Sequence, residues 1–458
     1  MKILLIHPRL ERSFFSDIKL PPLGLASIAG VLREAGHDVR IFDGILSGNQ
    51  IRDIKDRLAD NPPEIVGIGA TSALAEIALQ IAALIKSREP KTAVVMGGVH
   101  PTLFPLQMIS NPQIDYVVRG EGELSMAELA KALESEREPA GIAGVVYKTK
   151  GEIVENGPRK PVDNLDDLPM PAYDLLPIRR YTSLQIAERP FASMITSRGC
   201  PYTCVFCSAR LTMGPKYRAF SPERTVEEIQ WLIRTFGVKE VLFKDSEFTM
   251  DLARVESICD LLGRKGIKIK WSCNGRIGRL SRDLLRTMRG AGCRLIEYGI
   301  ESGDEDILVA LSKQITIEEV RATFAMTRQA GLKTIANFMI GNPGETRASI
   351  DKTLRLAKEI KPDYCDFSFL TPFPGTELYE RAERNGWLLA GFNPSNIRLD
   401  RCTMNATQMS GDELKGMFKK AYRSFYLRPG FILGRIFRLN RFEWKMNAIG
   451  FLKILGLV

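Results

Sequence analysis

The sequence predicts an α/β fold: a doubly wound, Rossmann-like unit, then a partial (β/α)6 barrel of the TIM type, then a helical C-terminal extension. Three observations predict it. Short β-branched runs alternate with helical patterns over the first ~145 residues, a Pro- and Asp-rich stretch interrupts them, and six further strand–helix repeats follow. The 458 residues leave room for about three domains of ~150 residues each. Apolar residues at 45% and charged residues at 26% give the balance of a globular chain. That balance excludes a disordered chain, a fibrous repeat and a small disulfide scaffold.

KILLIH (residues 2–7) reads as the first strand, and PPLGLASIAGVLREAG (21–36) as the helix after it. DVRIFD (38–43), a helix near 51–58, EIVGIGA (64–70), a helix over 75–87 and AVVMGG (93–98) continue the alternation. DYVVRG (115–120) and a helix over 124–133 close a first domain of residues 1–145. Alternation at this spacing implies a parallel sheet with helices on both faces. Residues 163–177, DNLDDLPMPAYDLLP, hold three prolines and four aspartates and read as the centre of an extended linker, 146–190. The second series runs through SMITS (193–197), VKEVLFK (238–244), IKIKWSC (267–273), RLIEYGI (294–300), LKTIANFMI (332–340) and DYCDFSFL (363–370). It defines a barrel over 191–385, and 386–458 reads as a helical, basic region.

Lys and Arg number 64 against 54 acidic residues, a net charge of +10. Ten basic and three acidic residues fall in 411–458, so the surplus describes a tail and no nucleic-acid partner is expected. FILGRIFRLNRFEWKMNAIGFLKILGLV (431–458) interleaves apolar and basic residues, which suits a helix lying in a membrane interface. A helix packed on the barrel with a solvated basic face fits equally well. No run approaches the roughly 18 apolar residues that span a bilayer. The start, MKILLIHPRL, has too short an apolar run for a signal peptide. The expectation is a cytoplasmic protein, peripheral on the inner face of a membrane if the tail binds one.

Eight cysteines are present, none before Cys200, and three fall in Cys200-Pro-Tyr-Thr-Cys204-Val-Phe-Cys207 after the first barrel strand. In a reducing compartment such a cluster reads as a metal site. Iron–sulfur clusters take thiolates, usually four. With three and no fourth nearby, one iron keeps an open position. Zinc or three free thiols are the alternatives, but zinc sites generally bring a paired C-x2-C or histidines. His7, His37 and His100 all lie in the first domain.

This spacing, with Phe206 at the aromatic position before the third cysteine, resembles the radical S-adenosylmethionine (SAM) superfamily over about residues 192–376. The resemblance implies that Cys200, Cys204 and Cys207 hold a catalytic 4Fe–4S cluster whose open iron chelates SAM. An external electron donor of flavodoxin or ferredoxin type would drive cleavage to methionine and a 5′-deoxyadenosyl radical. It also implies SAM contacts at the strand ends, where a barrel builds its site. Asp245, Ser246 and Glu247 follow the second strand, with Ser246 departing from the Asp-Asp common in the subgroup. Asn274 and Arg276 follow the third, and an arginine can clamp a carboxylate. Glu301 and Ser302 follow the fourth, suited to the ribose or methionine end. Ile340 and Gly341 open IGNPGET after the fifth, for adenine, and Thr371 follows the sixth. Each could also be an ordinary cap or turn residue.

No G-x-G-x-x-G follows the first strand, so a dinucleotide is not expected. Asp43 to Gly48 (DGILSG), Ser72-Ala73-Leu74 and Gly97-Gly98 instead resemble the cobalamin-binding pattern D-x-H-x-x-G, S-x-L, G-G. The carry-over assigns Asp43, Gly48, Ser72, Leu74, Gly97 and Gly98 to cobalamin, with Ser72 on its nucleotide tail. Ile45 stands where the pattern has its cobalt-ligating histidine, a loss common among cobalamin-dependent radical SAM enzymes. The missing ligand implies low-coordinate, nucleophilic cobalt(I). A degenerate domain that no longer holds cobalamin stays open. His100 reads as a satisfied loop histidine in preference to one at the corrin ring edge, and His37 as a solvent-facing turn residue.

Together the halves resemble the cobalamin-binding branch of the radical SAM enzymes over roughly residues 1–400. That implies methylation of an unactivated carbon in a small-molecule or lipid-like substrate, or oxidative cyclisation as in the anaerobic porphyrin cyclase. Transfer RNA methylthiotransferases carry further cysteines in their first domain, and this chain has none there. A cobalamin sensor would leave the Cys200 loop unexplained.

Overall fold

A computed structural model describes residues 1–10, 18–183, 185–394, 397 and 399–436. Strands β1 Lys2–His7, β2 Asp38–Asp43, β3 Ile65–Gly69, β4 Ala93–Gly97 and β5 Tyr116–Val118 form a parallel sheet ordered β2-β1-β3-β4-β5. Alternate residues of β1 are buried on opposite faces. Ile3 and Leu5 pack with Ala26, Leu32 and Leu129 from helices Leu23–Glu34 and Gly122–Glu134. Leu4 and Ile6 pack with Ile54, Leu58, Ile81 and Ile85 from helices Gln50–Asp60 and Ala75–Arg88. Apolar residues at every position are what a strand covered on both faces requires. The strand order reverses between β1 and β3, and a doubly wound sheet binds its ligand at the carboxyl ends beside such a reversal.

The sheet continues past residue 145. β6 Val145–Thr149 and β7 Glu152–Glu155 extend it as an antiparallel hairpin on β5. Lys150 and Gly151 join them with φ of 50° and 84°, the positive values a tight two-residue hairpin needs. The region read as an extended linker is therefore structured. Its alternating VVYKTKGEIVE carried the hairpin signal, and the Asp/Pro stretch hides a buried strap. Tyr173, Ile178 and Tyr181 are almost inaccessible. The Ala172 amide donates to Ala26 O at 2.9 Å. Tyr173 Oη lies 3.0 Å from Ser193 O and 2.9 Å from Glu228 Oε1, its one proton shared between the two acceptors, tying the strap to the second half.

Burial pushes Glu228 up to about 7, although Tyr173 and Arg224 oppose the shift. A carboxyl raised in the folded state binds its proton more tightly there than in the unfolded chain. Its contribution is therefore full below the ordinary glutamate value and is lost as pH rises through about 7. A Glu228→Gln variant is expected to flatten the fall in stability between about pH 5 and pH 8 by up to a few kcal/mol. Urea unfolding at both ends of that range reads it, and an unchanged slope counts against it.

In the second half, β8 Phe191–Met194 is followed by an antiparallel ribbon of β9 Ser197–Arg198 and β10 Arg218–Ala219. Then come β11 Glu240–Phe243, β12 Lys270–Gly275, β13 Cys293–Glu301, β14 Lys333–Ile340 and β15 Tyr364–Phe369. β8 and β11 to β15 pair in parallel in chain order as an open six-stranded sheet, with β8 and β15 as its edges. An unpaired edge exposes backbone polar groups. Helix Gly411–Tyr426 answers this at β15 with two tyrosines. Cys365 N donates to Tyr426 Oη at 3.0 Å, and Phe367 N donates to Tyr422 Oη at 3.2 Å.

Residues 386–410, read as the start of a helical region, are irregular where described. Leu388 and Met404 form an antiparallel bridge there. Gly391, with φ of 77°, and Pro394 disfavour a helix. The basic segment 437–458 lies outside the described residues. Among those described, no helix is long and apolar enough to cross a membrane.

Candidate functional site

The three cysteines ride on the loop between β9 and β10, above the carboxyl end of β8. Gly199 enters the loop with φ of 82°, and Cys200 N donates to Gly214 O at 3.2 Å. Val205, 3% exposed, is held from both sides. Its amide donates to Leu311 O at 3.2 Å and its carbonyl accepts from Leu378 N at 2.9 Å. The loop thus crosses the barrel mouth from the β13 side to the β15 side. Cys207 N closes a tight turn on Cys204 O at 3.1 Å. Cys200 and Cys204 are half-buried and Cys207 is exposed. Burial pushes the Cys200 thiol up, and the neighbouring thiols of Cys207 and Cys204 add to the shift. A bound cation reverses that preference by stabilising thiolate. Among the described residues no three His, Cys, Asp or Glu side chains are gathered for a single metal ion. Three thiol donors on one loop fit three corners of a cubane.

Arg276, Glu301 and Phe206 do come together, with two partners the sequence did not suggest. The Arg276 guanidinium lies 3.4 Å from the Tyr202 ring centroid and donates to Lys313 O. Lys313 Nζ pairs with Glu301 Oε1 at 2.7 Å and stands 6.0 Å from the Phe206 ring. Glu301 adopts a left-handed φ of 75°, a conformation costly for a side chain with a Cβ and concentrated at functional sites. A Cβ at Gly299 would lie 2.5 Å from Glu301 Oε1 and 3.0 Å from Lys313 Nζ, so this glycine leaves room for the pair.

The other positions proposed to contact SAM also make bonds within the frame. Asp245 was expected to face the ligand. It is fully buried, and its carboxylate accepts from Thr196 N at 2.7 Å, Ser197 Oγ at 2.8 Å and Ser197 N. It thereby fixes the approach to the cysteine loop. Asn274 Nδ2 donates to Asp245 O at 3.0 Å. Ser246 is exposed, while the buried Glu247 carboxylate caps its own turn through Thr249 N at 3.1 Å. Ser302 Oγ meets Thr353 Oγ1 at 3.3 Å, directed into the packed helix Arg347–Glu359. Ile340 is core, and Thr371 Oγ1 donates to Phe369 O at 3.0 Å. Gly341, with φ of 92°, donates its amide to Glu345 Oε2 at 2.7 Å. Glu345, pushed up to about 7 by burial, holds the IGNPGET turn together.

Two arginines, Arg218 buried and Arg198 largely so, dock this assembly on the first half. Arg198 pairs with Glu123 at 2.6 Å and with Glu121 at 3.4 Å, and Arg218 pairs with Glu121 at 2.5 Å. Both arginines belong to the ribbon that launches and receives the cysteine loop. Burial opposes ionisation of Glu123, but Arg198 beside it holds its carboxyl below the ordinary value.

At the carboxyl edge of the first sheet, the cobalamin-type positions follow β2, β3 and β4, with β1 between the first two. Asp43 is buried. Its carboxylate accepts from Tyr181 Oη at 2.8 Å and Ile45 N at 3.1 Å, so it braces the loop on the strap. Ile45 is half-buried against the core, and Gly48 is exposed. Ser72 and Leu74 bound the turn that leads into helix Ala75–Arg88. Gly97 ends β4, and Gly98, with φ of 99°, packs on the Ala70 backbone. Gly98 thus serves loop-to-loop packing. Two histidine readings change. His37 is buried against the N-terminal amine, 3.2 Å from its Nδ1, rather than facing solvent. His100 is buried with Nε2 unpartnered, although the sequence suggested a satisfied loop residue. The buried imidazole beside Ser72 and the glycine-lined loop fit a large cofactor with hydrogen-bonding edges.

A doubly wound domain docked on an open parallel barrel that carries three thiols on one mouth loop defines a two-domain α/β enzyme of the metallocofactor class. The Radical SAM superfamily profile matches residues 194–357, and that of the B12 binding domain matches residues 17–130. An uncharacterized methyltransferase of Pyrococcus horikoshii is 37% identical over 99% of this chain and 98% of its own length. The anaerobic magnesium-protoporphyrin IX monomethyl ester cyclase of Rubrivivax gelatinosus is 29% identical over 94% of this chain and 78% of its own. The hopanoid C-3 methylase of Methylococcus capsulatus is 29% identical over 84% and 73%. Among solved structures, the radical SAM methyltransferase TsrM of Kitasatospora setae, with cobalamin and a 4Fe–4S cluster bound, superposes with a TM-score of 0.74 at 18% identity. That match covers 94% of this chain and 89% of TsrM. The chain belongs to the cobalamin-binding radical SAM enzymes. Its cofactors are a 4Fe–4S cluster, SAM and cobalamin.

Proposed function

We propose that this enzyme transfers a methyl group from SAM to an unactivated carbon of a hydrophobic small molecule, with electrons from a flavodoxin- or ferredoxin-type donor. Ile45 carries the reading. Ile45, an aliphatic side chain packed on the core, stands where the resembled pattern has its histidine and would supply no nitrogen ligand to a bound cobalamin. Cobalamin held there without a protein nitrogen ligand would supply a nucleophilic methyl carrier. The bound cluster and SAM supply the hydrogen-abstracting radical, and the chain's task is placement and exclusion of water. Asp245, Gly199 and Val205 hold the thiolate loop, while the Arg198 and Arg218 pairs fix it relative to the first domain.

A hydrophobic substrate is supported by the seam between the halves. A Cβ at Gly375 would lie 3.3 Å from both Leu103, on the first domain, and Leu211, on the cysteine loop. Leu211 is 42% exposed there. The hopanoid methylase similarity points the same way. The cyclase relatives favour a second reading, oxidative cyclisation. Anaerobically reconstituted protein incubated with membrane-lipid extract and methyl-labelled SAM is expected to place label in a lipid product. A product oxidised without label would establish the cyclase reading instead.

A further inference from the structure

His100 is 2% exposed, where polar groups are normally fully hydrogen-bonded. Its Nδ1 lies 3.2 Å from Ser72 Oγ, Phe104 covers it with ring centroids 4.9 Å apart, and Nε2 has no partner among the described residues. The contact exists because the β3 and β4 loops are stitched together. Ala70 N donates to Gly97 O at 2.8 Å, and His100 N donates to Ala70 O at 3.1 Å. Gly98 permits this, since a Cβ there would stand 2.9 Å from Ala70 O. Burial holds the His100 pKa below its ordinary value, so the ring is neutral near pH 7 and carries one proton. A proton on Nε2 would be an orphaned buried N–H, which proteins rarely tolerate. On Nδ1 it leaves only an unmet lone pair. Nδ1–H then faces Ser72 Oγ. A serine hydroxyl has a single proton, so one that accepts from histidine is free to turn that proton elsewhere.

We propose that His100 is a positioning residue for the nucleotide tail of cobalamin. It donates to Ser72 Oγ, so that Ser72 presents its hydroxyl proton to an unprotonated ring nitrogen of the tail's base. The proposal rests on the first domain holding cobalamin and adds a residue outside the recognised pattern.

The test titrates full-length, cobalamin-free protein by equilibrium dialysis with two probes. These are hydroxocobalamin and dicyanocobinamide, which has the corrin ring but lacks the tail. His100→Phe is expected to weaken hydroxocobalamin binding roughly tenfold and to leave dicyanocobinamide unchanged. His100→Asn, whose amide reaches the Nδ1 position, is expected to restore most of the loss. Ser72→Ala should match His100→Phe, and the double variant should be no weaker than Ser72→Ala alone. Should His100→Phe fold poorly, the Asn and Ser72→Ala pair still decides. Equal loss of both probes, no loss of either, or failure of the Asn rescue would overturn the proposal. A wild-type chain that bound neither probe would remove the cobalamin reading beneath it.

Discussion

Replacing any one of Cys200, Cys204 or Cys207 with alanine is expected to reduce SAM cleavage to the level of an enzyme-free control. Each thiolate satisfies one iron corner, and a cubane with two protein ligands is neither retained nor able to reserve a single open iron for SAM. The loss should be chemical rather than structural. The loop is held by backbone contacts at Gly199, Cys200 and Val205, and Cys207 is exposed, so removing a sulfur unpacks little. Iron and sulfide content after anaerobic reconstitution, together with 5′-deoxyadenosine formation, measures the outcome. Cys402→Ser supplies the control. Its thiol lies on the irregular segment beyond the barrel and contacts only Met404 O among the bonds seen there, so cleavage should persist. A Cys204→Ala enzyme that made 5′-deoxyadenosine at the wild-type rate would defeat the cluster assignment.

The sequence exposes local chemistry and conceals what docking creates. The β1 pattern was readable because a strand buried on both faces must be apolar through its centre, and the C-x3-C-x2-C spacing names its donors directly. Lys313 was unreadable, because its partner Glu301 lies twelve residues away across a strand end and a short helix. Tyr202 and Arg276 meet only once the loop folds back over β12. Asp245 sits at the strand end where a ligand contact was expected, yet its carboxylate points to the amides of Thr196 and Ser197. Position along the chain fixes which strand end a residue occupies, not which way its side chain turns. The linker failed for a related reason. Prolines and aspartates marked an irregular backbone, but Tyr173 and Tyr181 among them are buried by elements from both halves.

Gly199→Ala is expected to do as much damage as loss of a cysteine, by a different route. A Cβ at position 199 would lie 2.0 Å from Lys216 O and 2.9 Å from its carbonyl carbon, which are backbone atoms that cannot rotate away. The φ of 82° adds the penalty any L side chain meets in the left-handed region. Relief requires moving either residue 199 or the returning strand at Lys216. The first shifts Cys200, whose amide is bonded to Gly214 O, and the second disturbs Arg218, whose pair with Glu121 docks the ribbon on the first domain. The variant should lose more than about 3 kcal/mol of stability. Whatever fraction folds should assemble the cluster poorly although all three thiols remain. Thermal melting and iron content, read together, separate this from the cysteine variants, which keep stability and lose iron. A Gly199→Ala protein with wild-type melting and a full complement of iron would mean that the tight passage between Gly199 and Lys216 does not set the loop.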